Sequence, residues 1–236
     1  MVSFSEVARS KSWYDSLARS TIYERAINGG LGLLYLYWAA TAAIGLVLFI
    51  QGWAEQPSHL FAVCSIASRV AIICFLLLFA ALVLTRTRPV RRSRGILPRF
   101  HAAVGAFLPM LLVTSPLTID TAESNLASAV LIMVGNGLAV VSLRYLGRST
   151  SIMPEARRLV TRGPYAFLRH PLYFAEEIAV LGILLPRFSL LTLLIAVVHL
   201  GFQIHRMKHE EGVLREAFPD YDATMMGKAR FIPGLY

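Results

Sequence analysis

The amino-acid sequence predicts an all-α protein, a polytopic integral membrane helical bundle. Of its 236 residues, 56% are hydrophobic and only 16% are charged, whereas an ordinary soluble domain has roughly 25% charged residues. Mean hydropathy is +0.59, and the apolar residues come in blocks about as long as the ~20 residues needed to cross a bilayer. These observations argue against a soluble enzyme and indicate four membrane spans followed by a C-terminal helix-turn-helix hairpin.

Residues 1–30 form the first of three predicted regions. Ser3 and Glu6 have the spacing of a capping box, and apolar and aromatic side chains then follow at near-helical intervals. These are Trp13, Tyr14, Leu17, Ile22 and Tyr23. We expect an N-terminal helix that lies in the membrane interface, with a flexible tail as the alternative.

The second region, residues 31–146, holds the four predicted spans. They are Leu31–Ile50, Leu60–Leu84, Phe100–Leu117 and Leu126–Leu143. Arg69 interrupts the second run, and Pro109 is expected to kink the third helix. The two cysteines, Cys64 and Cys74, both fall in the second run, which excludes a disulfide framework or a CxxC metal site.

The third region, residues 147–236, is the predicted catalytic region. Its apolar run Leu172–Leu185 contains Glu176 and Glu177 and rises only ~21 Å as a helix, which is too short to cross comfortably. Together with Phe188–Ile204 it predicts a hairpin that enters the membrane and returns, with two tilted full spans as the alternative. Because a hairpin brings its two ends together, the regions of His170 and Glu210 are expected to share one site.

The distribution of basic residues predicts the orientation. The net charge is +9, and the loops alternate between several Lys or Arg residues and none, which places both termini and the segment Arg86–Arg99 in the cytoplasm by the positive-inside rule. This accounts for most of the charge without nucleic acid, so membrane lipids are the expected partners. Binding of phospholipid by these arginines is the alternative to a purely orienting role. The arginines concerned are Arg86, Arg88, Arg91, Arg92 and Arg94.

Several polar residues near the hairpin are candidates for chemistry. Arg206 and Glu210 are four residues apart, on one face of a helix, where they form either part of a site or only a surface ion pair. His170 precedes Pro171 and is either functional or a cap at the start of a helix. His205 and His209 have metal-ligand spacing, but their basic neighbours disfavour a cation, so we expect no metal.

Two ordered sequence blocks resemble a known enzyme family. The stretch Leu159–Tyr173, LVTRGPYAFLRHPLY, followed by Gly182, resembles the signature of the isoprenylcysteine carboxyl methyltransferase family, which is related to the phospholipid N-methyltransferases. The second block resembles that family at Glu210, Glu211, Leu214, Phe218, Tyr221 and 230–233. The chain departs from the pattern at Thr224, where a tyrosine is frequent, and at Glu177, which follows Glu176 where one glutamate is usual.

The resemblance implies a cytoplasmic site for S-adenosylmethionine as the cofactor. Carried over by position, the cofactor-binding residues would be Leu159, Val160, Tyr165, His170, Pro171, Leu172, Tyr173 and Glu210. Arg206 would orient a substrate carboxylate and Glu176 would close the substrate cavity, with Arg206 and Glu210 as the catalytic pair. The chemistry is consistent, because a sulfonium favours a nearby carboxylate and an adenine favours an aromatic or apolar slot.

The resulting hypothesis is methyl transfer to a lipophilic or prenylated substrate that arrives from the bilayer. Carboxyl O-methylation of an isoprenylcysteine-like acceptor is the first expectation; phospholipid N-methylation and methylation of a hydrophobic thiol are alternatives. An anionic acceptor needs little proton chemistry, whereas an amine must be neutral and a base would then matter. Other readings are an NADPH-dependent membrane reductase and a non-catalytic transporter or assembly factor, for which polar residues should line a path across the membrane.

Overall fold

Long apolar helices dominate the computed structural model, which describes residues 21–56, 58–232 and 234. The helices are α1 (Thr21–Gln51), α2 (His59–Thr85), α3 (Leu97–Phe107), α4 (Met110–Val113), α5 (Ala122–Leu146), α6 (Pro171–Leu184), α7 (Leu190–Ala217) and α8 (Tyr221–Met225). Within the described residues, four helices are long and apolar enough to cross a membrane: Arg25–Gln51, His59–Thr85, Ala122–Ser149 and Leu190–Ala217. The predicted all-α membrane bundle is thereby confirmed.

The boundaries of these helices differ from the predicted ones in two regions. Residues 1–20 of the predicted interfacial helix lie outside the described residues, and residues 21–30 are the first turns of α1. The predicted third span is interrupted, because α3 ends at Phe107 and α4 begins after Pro109, whose ring cannot donate a helical hydrogen bond. The resulting apolar segment Leu97–Val113 has fewer than the 18 residues of a candidate span.

The hairpin is asymmetric. Its first arm, α6, has 14 residues as expected, whereas its second arm, α7, has 28 and is long enough to cross the membrane. Ser189 starts α7 with a capping box, since its side chain accepts from the backbone N–H of Thr192 and the Thr192 hydroxyl accepts from the backbone N–H of Ser189. The second arm therefore corresponds to the alternative of a full span rather than to a short returning helix.

Close packing of α5 on α6 fixes the position of the short arm. A Cβ atom added at Gly135 would lie 2.5 Å from the backbone nitrogen of Ala179 and 2.8 Å from the carbonyl oxygen of Ala175. The hydroxyl of Ser128 donates to the carbonyl oxygen of Gly182 at 2.7 Å. Small residues of this kind let helix backbones approach and pack in a membrane.

A short antiparallel ladder joins the arginine-rich loop to the segment before α6. Strand β1 (Arg91–Arg92) pairs with β2 (Glu155–Ala156), and Glu155 accepts hydrogen bonds from Ser151 and Arg157 and lies 3.9 Å from Arg86. Burial opposes ionisation of Glu155, but Arg157, Arg86 and the two hydrogen bonds outweigh it and hold the pKa of this carboxyl below its usual range. Part of the basic loop is thus engaged within the protein.

Candidate active site

The two ends of the hairpin meet, as the sequence predicts. The backbone N–H groups of Arg169 and His170 donate to the carbonyl oxygens of Ala229 and Arg230 at 2.9 and 3.1 Å, so the segment before α6 is held against the segment after α8. The hydroxyl of Tyr173, in the first turn of α6, donates to a carboxylate oxygen of Glu210 at 2.6 Å. Residues 37 positions apart therefore lie at one end of the bundle, which we call the cleft end.

Glu211 is a buried carboxylate with many partners at the cleft end. It is 1% exposed, and one of its oxygens lies 3.2 Å from Nε2 of His170 and 2.8 Å from Nε of Arg230. Its other oxygen accepts from Arg215 at 3.2 Å and lies 3.8 Å from Arg169. Four cationic or imidazole groups from three separate segments thus converge on one buried carboxylate. The sequence analysis placed Glu211 in a family block but gave it no role.

A small polar cleft lies beside this cluster. It is lined by Leu146, Ser149, Ser151, Met153, Glu155, Tyr165, Arg169, His170, Leu172, Tyr173 and Glu210. The loop residue Tyr165 is buried, and its burial, together with the charges of Glu210 and Glu176, raises the pKa of the phenol; it therefore remains a neutral hydrogen-bonding group. Carboxylates, hydroxyls, a guanidinium and aromatic rings thus line one cleft, whose volume is about 30 Å³.

Only some of the predicted cofactor-binding residues line the cleft. Tyr165, His170, Leu172, Tyr173 and Glu210 line the cleft. Leu159 and Val160 lie in an irregular, half-buried segment and Pro171 starts α6, and these three are not among the lining residues. Pro171 occupies the first turn because it has no N–H to lose there. The cofactor roles of these residues stay predictions.

The loop before the cleft depends on one glycine. Gly163 has a φ of 60°, and a Cβ atom there would lie 2.5 Å from the ring of Tyr145. A left-handed backbone and an aromatic ring directly above it both require glycine at this position. Gly163 thereby lets the chain turn at Pro164 and bring Tyr165 into the cleft.

A larger, mainly apolar cavity adjoins the cleft within the bundle. Its volume is about 720 Å³, and all the long helices contribute to its wall. Aromatic side chains of α1 and α2 form much of the wall, namely Tyr35, Trp38, Phe75 and Phe79. Charged groups also reach it, among them Arg69, Glu176 and Arg206. The volume is within the range of ligand sites and suits a lipophilic molecule.

Arg206 lies at the junction of the cleft and the cavity. It is 4% exposed, and its guanidinium carbon lies 4.6 Å from the ring centre of Tyr173, in a cation–π contact. It also donates to Gln203 at 3.3 Å and lies 3.9 Å from Glu176. The sequence predicts an Arg206–Glu210 pair; in the structure Arg206 instead turns towards Tyr173 and Glu176.

A row of polar residues on α7 connects this junction with the middle of the bundle. His199, Gln203, Arg206 and Glu210 recur at intervals of three or four residues, on one face of an otherwise apolar helix. Gln203 donates to Glu176 at 2.9 Å, and His199 lies 2.9 Å from Glu177. His199 and Gln203 are not among the residues predicted for the site, although their spacing from Arg206 and Glu210 is visible in the sequence.

Three further histidines, His101, His205 and His209, lie next to one another. Nδ1 of His101 lies 3.0 Å from Nε2 of His209, and the ring of His205 is 4.9 Å from that of His101. Across the residues that the structure describes, no group of three or more His, Cys, Asp or Glu side chains has an arrangement that could hold a metal ion.

Comparison with known proteins gives one family match, which covers part of the chain. Residues 124–221 match the model of the phospholipid methyltransferase family; they comprise α5, the loop that forms the cleft, the hairpin and the start of α8. No curated protein matches the chain significantly. The match agrees with the resemblance drawn from the two sequence blocks, because the isoprenylcysteine enzymes are related to this family. The segment that builds the candidate site thus matches the phospholipid methyltransferase family, and this match supports a membrane methyltransferase.

Proposed function

We propose that the protein transfers a methyl group from S-adenosylmethionine to a lipophilic acceptor at the junction of the cleft and the cavity. One observation carries the proposal. Tyr173 lines the cleft and Arg206 lines the apolar cavity, and the guanidinium carbon of Arg206 lies 4.6 Å from the ring centre of Tyr173. A polar donor and an apolar acceptor would therefore meet at these two residues.

The chemistry of the residues that line the cleft supports the proposed methyl donor. Glu210 supplies a carboxylate for a sulfonium or an amine, and Arg169 supplies a cation for an amino-acid carboxylate. Tyr165 and Leu172 offer an aromatic and apolar surface for adenine. When bound, the donor supplies an electrophilic methyl group; the protein side chains bind it and orient it towards the cavity.

Arg206 supports an acceptor that carries an anionic group close to the atom that is methylated. A buried guanidinium at the wall of an apolar cavity favours a carboxylate or a phosphate. The carboxylate of an isoprenylcysteine, which the sequence analysis favours, and the phosphodiester of a phospholipid both satisfy this requirement. Because methyl transfer is an in-line displacement, holding the two reactants and excluding water are the main tasks of the protein.

The proposed function includes an orientation in the membrane. The positive-inside rule places the cleft end, the arginine-rich loop and both termini in the cytoplasm, where the soluble methyl donor is made. Reporter fusions in the loops at residues 52–58 and 88–90 test this orientation. We expect the first to report the outer side and the second the cytoplasm; the reverse pattern would contradict the assignment.

A binding titration tests the cofactor site. We expect Glu210→Gln to weaken binding of S-adenosylmethionine to the purified protein at least about tenfold, because it removes a charged hydrogen-bond partner worth ~1.5–3 kcal/mol. Glu216→Gln is the matched control, since Glu216 is exposed on the same helix and pairs with Arg91. Unchanged affinity of the Glu210 variant for S-adenosylmethionine would contradict the assignment of the cofactor site to the cleft.

A transfer assay tests the acceptor. Protein in lipid vesicles is incubated with S-adenosylmethionine labelled in its methyl group, and the lipids are then extracted and separated. We expect label in a lipid fraction and a strong loss of it in Arg206→Gln, with binding of the methyl donor retained. Label found only in water-soluble products would contradict a lipophilic acceptor.

A further inference from the structure

A second Glu–His pair lies inside the bundle, away from the cleft. Nε2 of His199 is 2.9 Å from Oε1 of Glu177, and His199 is 1% exposed. Despite the short distance, the geometry does not complete a hydrogen bond: within the described part of the chain, neither ring nitrogen of His199 has a hydrogen-bond partner, and the same holds for Oε1 of Glu177. Buried polar atoms without partners are costly, so such a pair calls for a ligand or a function.

The position of His199 connects the pair with the substrate cavity. His199 lines the cavity wall, as do Glu176 and Arg206, and it lies nine residues into α7, or ~14 Å from the start of that helix. The titratable groups that face it are Glu177 and Glu176 from α6, with Arg206 two turns further along its own helix. An ionisable cluster at this depth in a membrane protein is a candidate functional site.

We propose that the Glu177–His199 pair accepts the proton that an amine-bearing lipid must lose before it is methylated. In the tautomer that carries its proton on Nε2, the nitrogen 2.9 Å from Oε1 of Glu177, the lone pair of Nδ1 is free to take a proton from a lipid ammonium group. The lone pair left on the lipid nitrogen then forms the bond to the methyl carbon. The carbon–sulfur bond of the donor breaks at the same time, and its electron pair stays on sulfur.

Proton balance distinguishes this acceptor from a carboxylate. Methylation of a carboxylate releases no proton and needs no base, whereas each methylation of an ammonium group releases one proton. Glu176 lines the cavity and Glu177 lies next to His199 in its wall, so these carboxyl groups favour a cation over an anion there. The inference rests on the proposed methyl transfer and specifies its acceptor as an amine, whose neighbouring anionic group would lie against Arg206.

The first test replaces the proposed proton acceptor. Wild-type protein and His199→Gln are reconstituted in vesicles that contain phosphatidylethanolamine, and transfer of labelled methyl groups to that lipid is measured. We expect the variant to lose at least about a hundredfold in rate at pH 7, in line with the contribution of a general base, while it binds S-adenosylmethionine normally. His205→Gln, the same substitution at an exposed position of the same helix, should retain the wild-type rate.

The pH dependence separates a proton acceptor from a merely structural histidine. A primary amine has a pKa of ~10, so a rising pH supplies neutral acceptor that needs no base. The deficit of His199→Gln relative to wild type should therefore shrink as the pH is raised from 7 to about 9.5. A deficit that stays constant with pH would show a structural role and overturn the proposal. Glu177→Gln should show the same trend with a smaller deficit, because the imidazole remains.

The other outcomes are equally decisive. A His199→Gln variant with the wild-type rate would refute the pair as proton acceptor. Transfer only to a farnesylcysteine carboxylate or to a hydrophobic thiol, with phosphatidylethanolamine unlabelled, would refute the amine and leave the proposed methyl transfer intact. Failure of the wild-type protein to bind S-adenosylmethionine would instead refute the proposed function itself.

Discussion

Two Glu–His pairs join the same two regions of the chain, yet their surroundings differ. At the cleft end, His170 lies 3.2 Å from Glu211, and three arginines also surround that carboxylate. Within the bundle, His199 lies 2.9 Å from Glu177, and neither ring nitrogen completes a hydrogen bond with a described residue. The histidines are similarly buried, at 5% and 1% exposed.

This difference separates a carboxylate that holds the fold from one that is available for chemistry. A buried charge with several well-placed partners stabilises the arrangement of the segments that supply them. A buried group with unmet hydrogen-bonding capacity stabilises little and can still bind or accept a proton. We therefore expect substitutions at Glu211 to change mainly stability, and those at His199 to change mainly rate.

The largest expected effect is at Glu211. Glu211→Gln removes a buried negative charge that His170 and three partly exposed arginines surround, and removing one partner of a buried ion pair costs up to ~3–5 kcal/mol. Thermal unfolding in detergent, followed by circular dichroism, should show a large fall in the midpoint, or failure to accumulate as a folded protein. Glu216→Gln is the control and should unfold like wild type. A wild-type midpoint in the Glu211 variant would mean that the cluster does not hold the hairpin ends together.

Glu155 is a partnered carboxylate outside the membrane spans and should give the next largest effect. Its pKa is lowered in the folded protein, so its stabilisation is present above the unfolded value of ~4.3 and is lost as the pH falls through the folded value. We expect Glu155→Gln to cost ~1.5–3 kcal/mol at pH 7. The gap in unfolding midpoint between wild type and variant should narrow below about pH 4; a gap that is independent of pH would contradict the assigned interactions.

A smaller loss is expected at Gly135, where packing and not charge holds α6. Gly135→Ala forces a methyl group against the backbone of α6, and overpacking of this kind costs ~1–3 kcal/mol. Gly137→Ala is the matched control on the same helix, since a Cβ atom there meets nothing within 4 Å. Equal unfolding midpoints for the two variants would show that α5 and α6 are not in such close contact.

The smallest effect on stability is expected at Glu177. Glu177→Gln removes a charge whose hydrogen bond to His199 is incomplete, so the free energy of unfolding should change by less than ~1 kcal/mol. Chemical denaturation of this variant and of the Glu211 variant side by side gives a direct comparison of the two pairs. A loss at Glu177 as large as that at Glu211 would show that both pairs are structural.

Much of this architecture could be predicted from the sequence. Hydropathy located α1, α2 and α5, and the short run after Pro171 predicted the hairpin that brings Tyr173 to Glu210. Three-dimensional contacts decided the rest. The i, i+4 spacing suggested that Arg206 pairs with Glu210. In the structure Arg206 instead contacts Tyr173 and Glu176 on the facing helix. Spacing along one helix carries no information about the side chains of a neighbouring helix.

Two further features were beyond the reach of sequence patterns. The apolar run Phe188–Ile204 predicts a membrane arm that ends before the charged residues; in the structure α7 runs as one helix to Ala217, and Arg206 and Glu211 within it are buried among partners. The apolar cavity is also invisible in a linear pattern, because its wall is assembled from residues of all the long helices.

Arg230 lies nine positions beyond the stretch that matches the family, yet it donates to both oxygens of Glu211 at 2.8 and 3.1 Å, and its carbonyl oxygen holds the backbone of His170. The part of the chain that holds the cleft end together is consequently longer than the stretch that matches the family. Any fragment designed for expression has to retain the chain through Arg230, because otherwise the contacts that hold the two ends of the hairpin together are lost.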